Sequence, residues 1–197
     1  MIVVIDYKAG NLYNVGHALK YIGAAHSFSG DPDVVSRAEK IILPGVGSAS
    51  AAMDSLREQG LVEVLKGIDV PFLGICLGLQ LLFEASEEDQ TECLGIIPGT
   101  VARFDREKVK VPHIGWNRVS WDSRIDPRLI SGVESGQFFY FVHSYYAPVS
   151  SDYSIARTDY DVEFASGVCR NNYYGFQFHP ERSGQVGLKL LENFAAI

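Results

Sequence analysis

Residues 70–80 have the sequence VPFLGICLGLQ, in which a short apolar run leads into Cys76. The apolar run is typical of a buried strand, and the residues after the cysteine, as far as Phe83, favour a helix. Gly74 and Gly78 flank the cysteine in a G-x-C-x-G pattern. A sharp turn from strand to helix strains its middle residue, exposes that side chain and requires small neighbours, because other backbone passes close by. We therefore predict a strand-turn-helix elbow that presents Cys76.

The predicted elbow suits a nucleophilic thiol. A sulfur at the N-terminus of a helix meets partial positive charge, which favours thiolate over thiol. A structural reading also exists, since free cysteine is usually a buried core residue and the glycines could serve packing alone. Cys93 and Cys169 have no comparable context, and we interpret them as spectators.

The rest of the first half alternates between apolar strand-like segments and helix-like segments. Ile2–Asp6 and Lys40–Leu43 are short apolar strands. Helical periodicity begins at Asn11 and stops near Gly23, and it begins again at about Ala49. Continuous apolar strands separated by helices indicate a parallel sheet that is covered on both faces.

The second half has a different character, because helical periodicity returns only after Ser183. The strand-like segments of this half are Val119–Trp121, Phe138–His143, Ile155–Thr158, Phe164–Cys169 and Gly175–Phe178. We therefore predict an α/β fold with a mixed, mostly parallel central sheet, helices on both faces and added antiparallel strands. Ligands of such folds bind at the carboxyl ends of the parallel strands, here residues 6–11, 44–48 and 76–80.

Composition bounds the class of protein. The chain has 197 residues, of which 47% are hydrophobic and 21% charged, and we interpret residues 1–197 as a single soluble domain. A formal charge of −7 argues against nucleic-acid binding, which needs a basic face. Three cysteines without a C-x-x-C pair suggest a reducing compartment. The N-terminal segment does not resemble a signal peptide, and no apolar run approaches the roughly 20 residues of a membrane span. We expect a cytosolic protein.

The sequence offers a base for the thiol near its C-terminus. His179 follows the strand-like GFQF and precedes Pro180 and Glu181. Residues two apart in an extended chain point to the same side, so Glu181 can hold the imidazole and stabilise its charged form. An isolated histidine here would usually be structural, but the elbow and the H-P-E segment support each other. A metal site is disfavoured, because the histidines show no ligand spacing and no cysteine lies near them.

Acyl transfer also requires hydrogen-bond donors for the developing oxyanion. One candidate is the backbone N–H of Leu77, which follows the nucleophile. The second is the glycine-rich segment Pro44-Gly45-Val46-Gly47, where Gly45 and Val46 could turn a peptide N–H into the site. An ordinary glycine-rich turn is the alternative for this segment. It is not a dinucleotide fingerprint, because it lacks the third glycine.

The cysteine elbow, the P-G-V-G segment and F-H-P-E, in this order, resemble the class I (triad) glutamine amidotransferase family over nearly the whole chain. The resemblance implies a flavodoxin-like fold, a Cys76–His179–Glu181 triad, and neither a metal nor an organic cofactor. It also implies a set of residues that bind glutamine, namely Gly47, Gln80, Glu88, Ser144 and Tyr145. The acidic stretch 87–89 leaves the choice of carboxylate open, and a solvated acidic loop is the alternative there.

Three segments resemble, within that family, the glutaminase subunits of imidazole glycerol phosphate synthase from histidine biosynthesis. They are Asp6–Leu12, Pro112–Asn117 (PHIGWN) and Phe141–Tyr145 (FVHSY). The resemblance implies a heterodimer with a (β/α)8-barrel cyclase that receives ammonia through an internal passage. The residues that would face this cyclase are Asn11, Asn14, Trp116, Tyr140 and Arg182. Position 182 is often lysine in these subunits, and arginine keeps the charge but changes the geometry.

Three alternative functions remain open. The same chemistry could serve another synthase, of pyridoxal phosphate, anthranilate or purine biosynthesis, although PHIGWN argues against these. A free-standing cysteine hydrolase of γ-glutamyl compounds would work without a partner. A scaffold without activity would not need the intact set of cysteine, histidine and glutamate.

Overall fold

The computed structural model describes residues 1–8 and 12–197, and its strands and helices follow the predicted alternation. Its strands are β1 (Ile2–Ile5), β2 (His26–Ser29), β3 (Lys40–Gly45), β4 (Phe72–Cys76), β5 (Phe83–Ser86), β6 (Thr91–Glu92), β7 (Ile97–Arg103), β8 (His113–Arg118), β9 (Ser120–Trp121), β10 (Phe138–His143), β11 (Tyr145–Pro148), β12 (Ser154–Tyr160), β13 (Val162–Arg170) and β14 (Tyr173–Phe176). Its α-helices are α1 (Leu12–Tyr21), α2 (Pro32–Val35), α3 (Ala49–Glu58), α4 (Leu61–Lys66), α5 (Leu77–Gln80) and α6 (Gly184–Ala196).

Five parallel strands form one end of the main sheet, in the order β2-β1-β3-β4-β14. The order continues β13-β11-β7-β5-β6, with β13 antiparallel to β14 and to β11. The predicted mixed sheet, in which antiparallel strands are added to a parallel core, is therefore confirmed. The carboxyl ends of β3 and β4 lie side by side, since Gly45 is paired with Cys76.

Apolar residues cover both faces of the parallel core, as predicted. Alternate residues of β1 belong to two separate clusters, because side chains in a strand alternate between the faces. Val3 and Ile5 pack in the cluster that contains α3 and α4, whereas Ile2 and Val4 pack in the one that contains α1 and α6. This arrangement leaves the ends of the strands as the accessible part of the core.

The predicted helix from Leu77 to Phe83 is wrong beyond Gln80. The helix makes one turn, and Phe83 begins β5, which pairs in parallel with β7. Burial explains the difference, because this apolar run is enclosed on all sides and periodicity cannot distinguish a buried helix from a buried strand. Several further elements were not predicted from the sequence, namely β2, α2, α4, β5 to β8 and β11. The predicted helix start at Asn11 lies outside the described residues, and α1 is described from Leu12.

Strands β8 and β10 form a separate antiparallel ribbon, in which His113 pairs with His143 and Trp116 with Tyr140. One face of this β8–β10 ribbon is buried and carries both histidines. The other face exposes large apolar side chains, with Ile114 57% and Trp116 55% exposed. Among the described residues, no helix combines the length and apolar character that a membrane crossing requires.

Candidate active site

Cys76 lies on a sharp turn at the carboxyl end of β4, with φ 55° and ψ −107°. The flanking glycines are sterically required. A Cβ on Gly74 would lie 2.4 Å from the carbonyl oxygen of Gly78, and a Cβ on Gly78 would lie 1.9 Å from that of Leu43. The elbow geometry that the sequence predicts is therefore present, and it holds the sulfur at the junction of β4 and α5.

The environment of the sulfur differs in one respect from the expectation. Helix α5 has only four residues, so few peptide dipoles are aligned behind Cys76. A buried side-chain amide is close instead, since Nε2 of Gln177 donates to Sγ at 3.6 Å. The carbonyl oxygen of Val142, on the β8–β10 ribbon, lies 3.8 Å from the same sulfur.

His179 and Glu181 form a buried pair just beyond β14. The two residues are joined by a 2.8 Å contact between Nδ1 and Oε1, and their side chains are 2% and 1% exposed. Backbone contacts fix the histidine, because its N–H donates to the carbonyl of Tyr140 and its own carbonyl accepts from the hydroxyl of Ser183. The carboxylate therefore sets the orientation of the ring from behind.

The charge state of His179 depends on both neighbours. Burial alone lowers the pKa of this histidine, but the charge of the Cys76 sulfur and the Glu181 carboxylate together raise the pKa to about 10. The Nε2 atom on the far side of the ring is buried and makes no standard hydrogen bond within the described part of the chain. The ring is thus held as an imidazolium at neutral pH, beside the sulfur.

A cavity of about 300 Å³ connects these groups. It is lined by Val46, Gly47, Cys76, Leu77, Gln80, Glu88, Pro112, Val142, His143, Ser144, Tyr145 and His179. The structure thus brings together Cys76, His179 and all five residues that the family resemblance implies for glutamine. Two of the predicted site residues lie behind the lining: Glu181, which contacts His179, and Gly45, which is buried against Leu77 and Gly78.

The structure distinguishes the three acidic residues that the sequence left open. Glu88 lines the cavity, and its Oε2 accepts a 2.7 Å hydrogen bond from the N–H of Ala49 at the start of α3. Glu87 instead accepts from the N–H of Arg103, and Asp89 from the hydroxyl of Ser50. Among these three, only Glu88 lines the cavity and could meet the charged amino group of an amino acid there.

Gln80 belongs to a network that the sequence analysis missed. Its Nε2 donates to the carbonyl of Tyr145 at 2.9 Å and to Oε1 of Gln177 at 3.0 Å. Gln177, which is fully buried, therefore links Gln80 to Cys76. Strand alternation could have indicated this, because Gln177 precedes His179 by two positions and would share its side.

A pair of buried histidines also escaped the sequence analysis. Nδ1 of His113 lies 3.0 Å from Nε2 of His143, whose Nδ1 contacts the carbonyl of Tyr145 at 2.8 Å. Burial lowers the pKa of His113 to about 4 and that of His143 to about 3. Both rings are therefore neutral at pH 7, and His143 closes one wall of the cavity.

Three of the residues expected to face a partner lie close to one another. Trp116 is exposed and lies 6.1 Å from Tyr140, ring centre to ring centre, and the guanidinium of Arg182 lies 4.3 Å from the Tyr140 ring. Asn14 lines a small cavity that also contacts Glu181. Asn11 lies outside the described residues.

The other two cysteines, Cys93 and Cys169, do not line this cavity. Burial raises the pKa of Cys93 and of Cys169, each to about 11, so both remain thiols. Within residues 1–8 and 12–197, no three histidine, cysteine or acidic side chains come close enough to hold a metal ion.

Comparisons with known proteins point in one direction. A family model described as glutamine amidotransferase class-I matches residues 3–197. The chain is 44% identical to imidazole glycerol phosphate synthase subunit HisH of Archaeoglobus fulgidus, over 100% of this chain and 98% of that protein. It is 46% identical to the subunit of the same name from Bacillus thuringiensis, over 100% of this chain and 95% of that protein. The solved structure of PurLQS from Thermotoga maritima has the same fold, with a TM-score of 0.74 at 20% identity over 98% of this chain and 96% of that one.

Proposed function

The chain belongs to the class-I glutamine amidotransferase family, and from this premise we propose that it is the glutaminase subunit of an imidazole glycerol phosphate synthase. It is therefore an enzyme that releases ammonia from glutamine. One observation supports this most strongly: Cys76, His179 and Glu88 line the same cavity, and Glu181 holds the histidine from behind. We further propose that residues 1–197 act as a single domain in the cytoplasm.

The first half of the reaction is acylation of Cys76. The thiolate attacks the side-chain carboxamide carbon of glutamine, and the C=O electron pair moves onto oxygen. The N–H groups of Leu77 and of the Gly45–Val46 segment would stabilise that oxyanion. When the C–N bond breaks, His179 gives its proton to the leaving ammonia, a role that suits its raised pKa.

Hydrolysis of the thioester completes the cycle. His179, now neutral, removes a proton from water, the hydroxide adds to the thioester carbon, and glutamate leaves as the thiolate reforms. Throughout, Glu181 stabilises the imidazolium without itself becoming protonated. Glu88 would bind the amino group of glutamine, while Gly47, Gln80, Ser144 and Tyr145 would hold its backbone.

We propose a (β/α)8-barrel cyclase as the partner and the exposed face of the β8–β10 ribbon as part of the interface. Trp116 and Ile114 on this face are more than half exposed, and such apolar side chains are typical anchors of interfaces. Val142, on the same ribbon, contacts the Cys76 sulfur, so the interface and the cavity share an element. Ammonia passed directly to the cyclase would avoid protonation in bulk water.

The decisive experiment measures glutamate release by the purified chain, alone and with the cyclase and its nucleotide ligand. We expect slow release by the chain alone and a large increase in the complex. Cys76→Ala should abolish release, whereas the matched variant Cys93→Ala should keep it, since Cys93 lies in the core away from the cavity.

The alternatives give different results in the same assay. Equal rates with and without the cyclase would favour a free-standing γ-glutamyl hydrolase. If a different synthase stimulated glutamate release and the cyclase did not, the chain would be the glutaminase subunit of that other synthase. Activity that survives Cys76→Ala would overturn the proposed chemistry.

A further inference from the structure

The hydroxyl of Tyr7 is a buried donor that the reaction described above does not use. The Tyr7 side chain is 0% exposed, and its hydroxyl has no hydrogen-bond partner among the described residues. A buried hydroxyl without a partner is costly and is therefore rare unless it has a role. Burial, together with the charge of Cys76, raises the pKa of Tyr7, so the group remains a proton donor.

This hydroxyl lies against the segment that we propose for the oxyanion. It is 2.9 Å from the position that a Cβ on Gly45 would occupy, and Leu77 and Gly78 bound the same space. Pairing between β1 and β3 ends at Ile42, whereas β3 continues beside β4 as far as Gly45. Tyr7, two residues after β1, fills the gap beside the unpaired end of β3.

The position of Tyr7 relative to the cavity is important. Val46 and Gly47 line the cavity, but Tyr7 does not, because its ring packs in the apolar cluster behind Gly45. In the peptide that joins Gly45 to Val46, the C=O and N–H point in opposite directions. When the N–H of Val46 points into the cavity, the carbonyl of Gly45 therefore points towards the side where the Tyr7 hydroxyl lies.

We infer that Tyr7 is a positioning residue for the oxyanion site: its hydroxyl donates to the Gly45 carbonyl when the Val46 N–H faces the substrate. The inference rests on the proposed function. Glycine at 45 makes it sterically feasible, because no side chain separates the hydroxyl from the backbone and the peptide can rotate. When the Val46 N–H faces the cavity, the Tyr7 hydroxyl gains a hydrogen bond to the Gly45 carbonyl. When the peptide has the opposite orientation, the buried hydroxyl stays unpaired, which costs free energy. The difference favours the orientation that is active.

Tyr7→Phe tests the inference, because it removes the oxygen and keeps the ring. In the complex with the cyclase, the glutaminase kcat should fall about 10-fold, less than the 10²–10³ typical of losing an oxyanion donor itself. The KM for glutamine should stay within about 2-fold, since the ground state does not use this contact. The unfolding temperature of the variant should equal or exceed that of the wild type, since the lost hydroxyl has no hydrogen-bond partner among residues 1–8 and 12–197. Iodoacetamide should alkylate Cys76 at the same rate in Tyr7→Phe as in the wild type.

Tyr173→Phe is the matched control. Its hydroxyl donates to the carbonyls of Leu65, Lys66 and Ile68, at 2.8, 3.0 and 3.0 Å, and it lies away from the cavity. This variant should lose unfolding temperature and keep kcat, the reverse of Tyr7→Phe.

Several results would overturn the inference. A Tyr7→Phe kcat within about 2-fold of the wild type would do so, as would a lower unfolding temperature or slower alkylation of Cys76, which would indicate a merely structural role. No glutamate release by the wild-type complex would instead overturn the proposed function, and the inference with it.

Discussion

The side chains of Cys76 and Glu181 set the charge state of His179 against the effect of burial. Burial opposes a charged imidazole, and the Cys76 sulfur and Glu181 carboxylate reverse that effect to raise the pKa to about 10. The folded-state pKa is thus above the ordinary value of about 6.5. The stability contributed by these contacts is complete below about pH 6.5 and is lost as the pH rises towards 10.

Glu181→Gln should therefore lower the pKa of His179 and slow the reaction. The amide can still accept from the ring, but it lacks the charge that stabilises the imidazolium, so we expect kcat to fall by about 10²–10⁴. An NMR titration of the histidine ring measures the pKa directly. Glu192→Gln, which removes one partner of the exposed contact with Lys189, is the control and should change neither quantity. An unchanged His179 pKa in Glu181→Gln would contradict this account.

Gln177→Leu tests the buried amide network at the same scale. Leucine can neither accept the hydrogen bond from Nε2 of Gln80 nor donate one to the Cys76 sulfur. The buried side-chain amide of Gln80 therefore loses one of its hydrogen-bond partners. We expect a loss of about 1–3 kcal/mol in the free energy of unfolding and a clear fall in kcat. Urea unfolding and the glutamate assay measure the two effects. Wild-type stability would mean that the network contributes nothing.

The elbow at the end of β4 is the element that connects the fold to the chemistry. Its glycines are required because backbone atoms of Leu43 and Gly78 occupy the space a side chain would need. The two glycines of the G-x-C-x-G pattern are therefore a steric requirement of the turn. Because the pattern follows an apolar strand-like run, the strand, the turn and the nucleophilic role of Cys76 could be predicted from the sequence.

Gly78→Ala should disrupt this element. Its Cβ would lie 1.9 Å from the carbonyl oxygen of Leu43, and neither backbone can move without separating β3 from α5. We expect a loss of about 3 kcal/mol or more, or failure to fold. Gly67→Ala is the control, since its Cβ would make ordinary van der Waals contacts with the carbonyl oxygens of Glu63 at 3.5 Å and Val64 at 3.8 Å, and it should change stability by less than about 0.5 kcal/mol. Equal stability of the two variants would contradict the steric explanation.

Predictability from sequence differed between elements for physical reasons. Strands β1, β3 and β4 were identified because their apolar runs are continuous and bounded by helices. Strand β5 was predicted as helix because burial removes the polar face that gives a helix its period. The contacts between Gln80 and Gln177 and between His113 and His143 join residues 97 and 30 positions apart. Strand alternation places Gln177 on the same side as His179, but no local pattern identifies the partner of either contact.

At the scale of the molecule, two neutral buried histidines make the fold sensitive to acid. The pKa of His113 is about 4 and that of His143 about 3, both lowered by burial, whereas the unfolded chain binds these protons near pH 6.5. The free energy of unfolding should therefore fall as the pH drops from about 6.5 to 4, by up to about 1.4 kcal/mol per pH unit for each histidine. Urea unfolding across this range measures the slope, and His113→Asn should make it shallower. A slope that does not change would contradict the assignment.

The exposed face of the β8–β10 ribbon gives a second prediction at this scale. Trp116→Ala removes an exposed ring and should weaken binding of the cyclase by about 10-fold or more, with little effect on stability, because the ring is not part of the core. Calorimetric titration with the cyclase measures the affinity. Lys66→Ala, on α4 and also exposed, is the control and should bind normally. If both variants bound the cyclase with equal affinity, the exposed face of the β8–β10 ribbon would not be part of the interface.

The positive φ of Cys76 has a consequence for the history of such chains. A residue with a side chain in that conformation costs about 1–3 kcal/mol, and glycine would relieve most of it. At position 76, selection for the thiol therefore opposes selection for a more stable fold. Descendants that no longer require the sulfur should drift towards glycine there early, and Cys76→Gly made in the laboratory should melt at a higher temperature than the wild type.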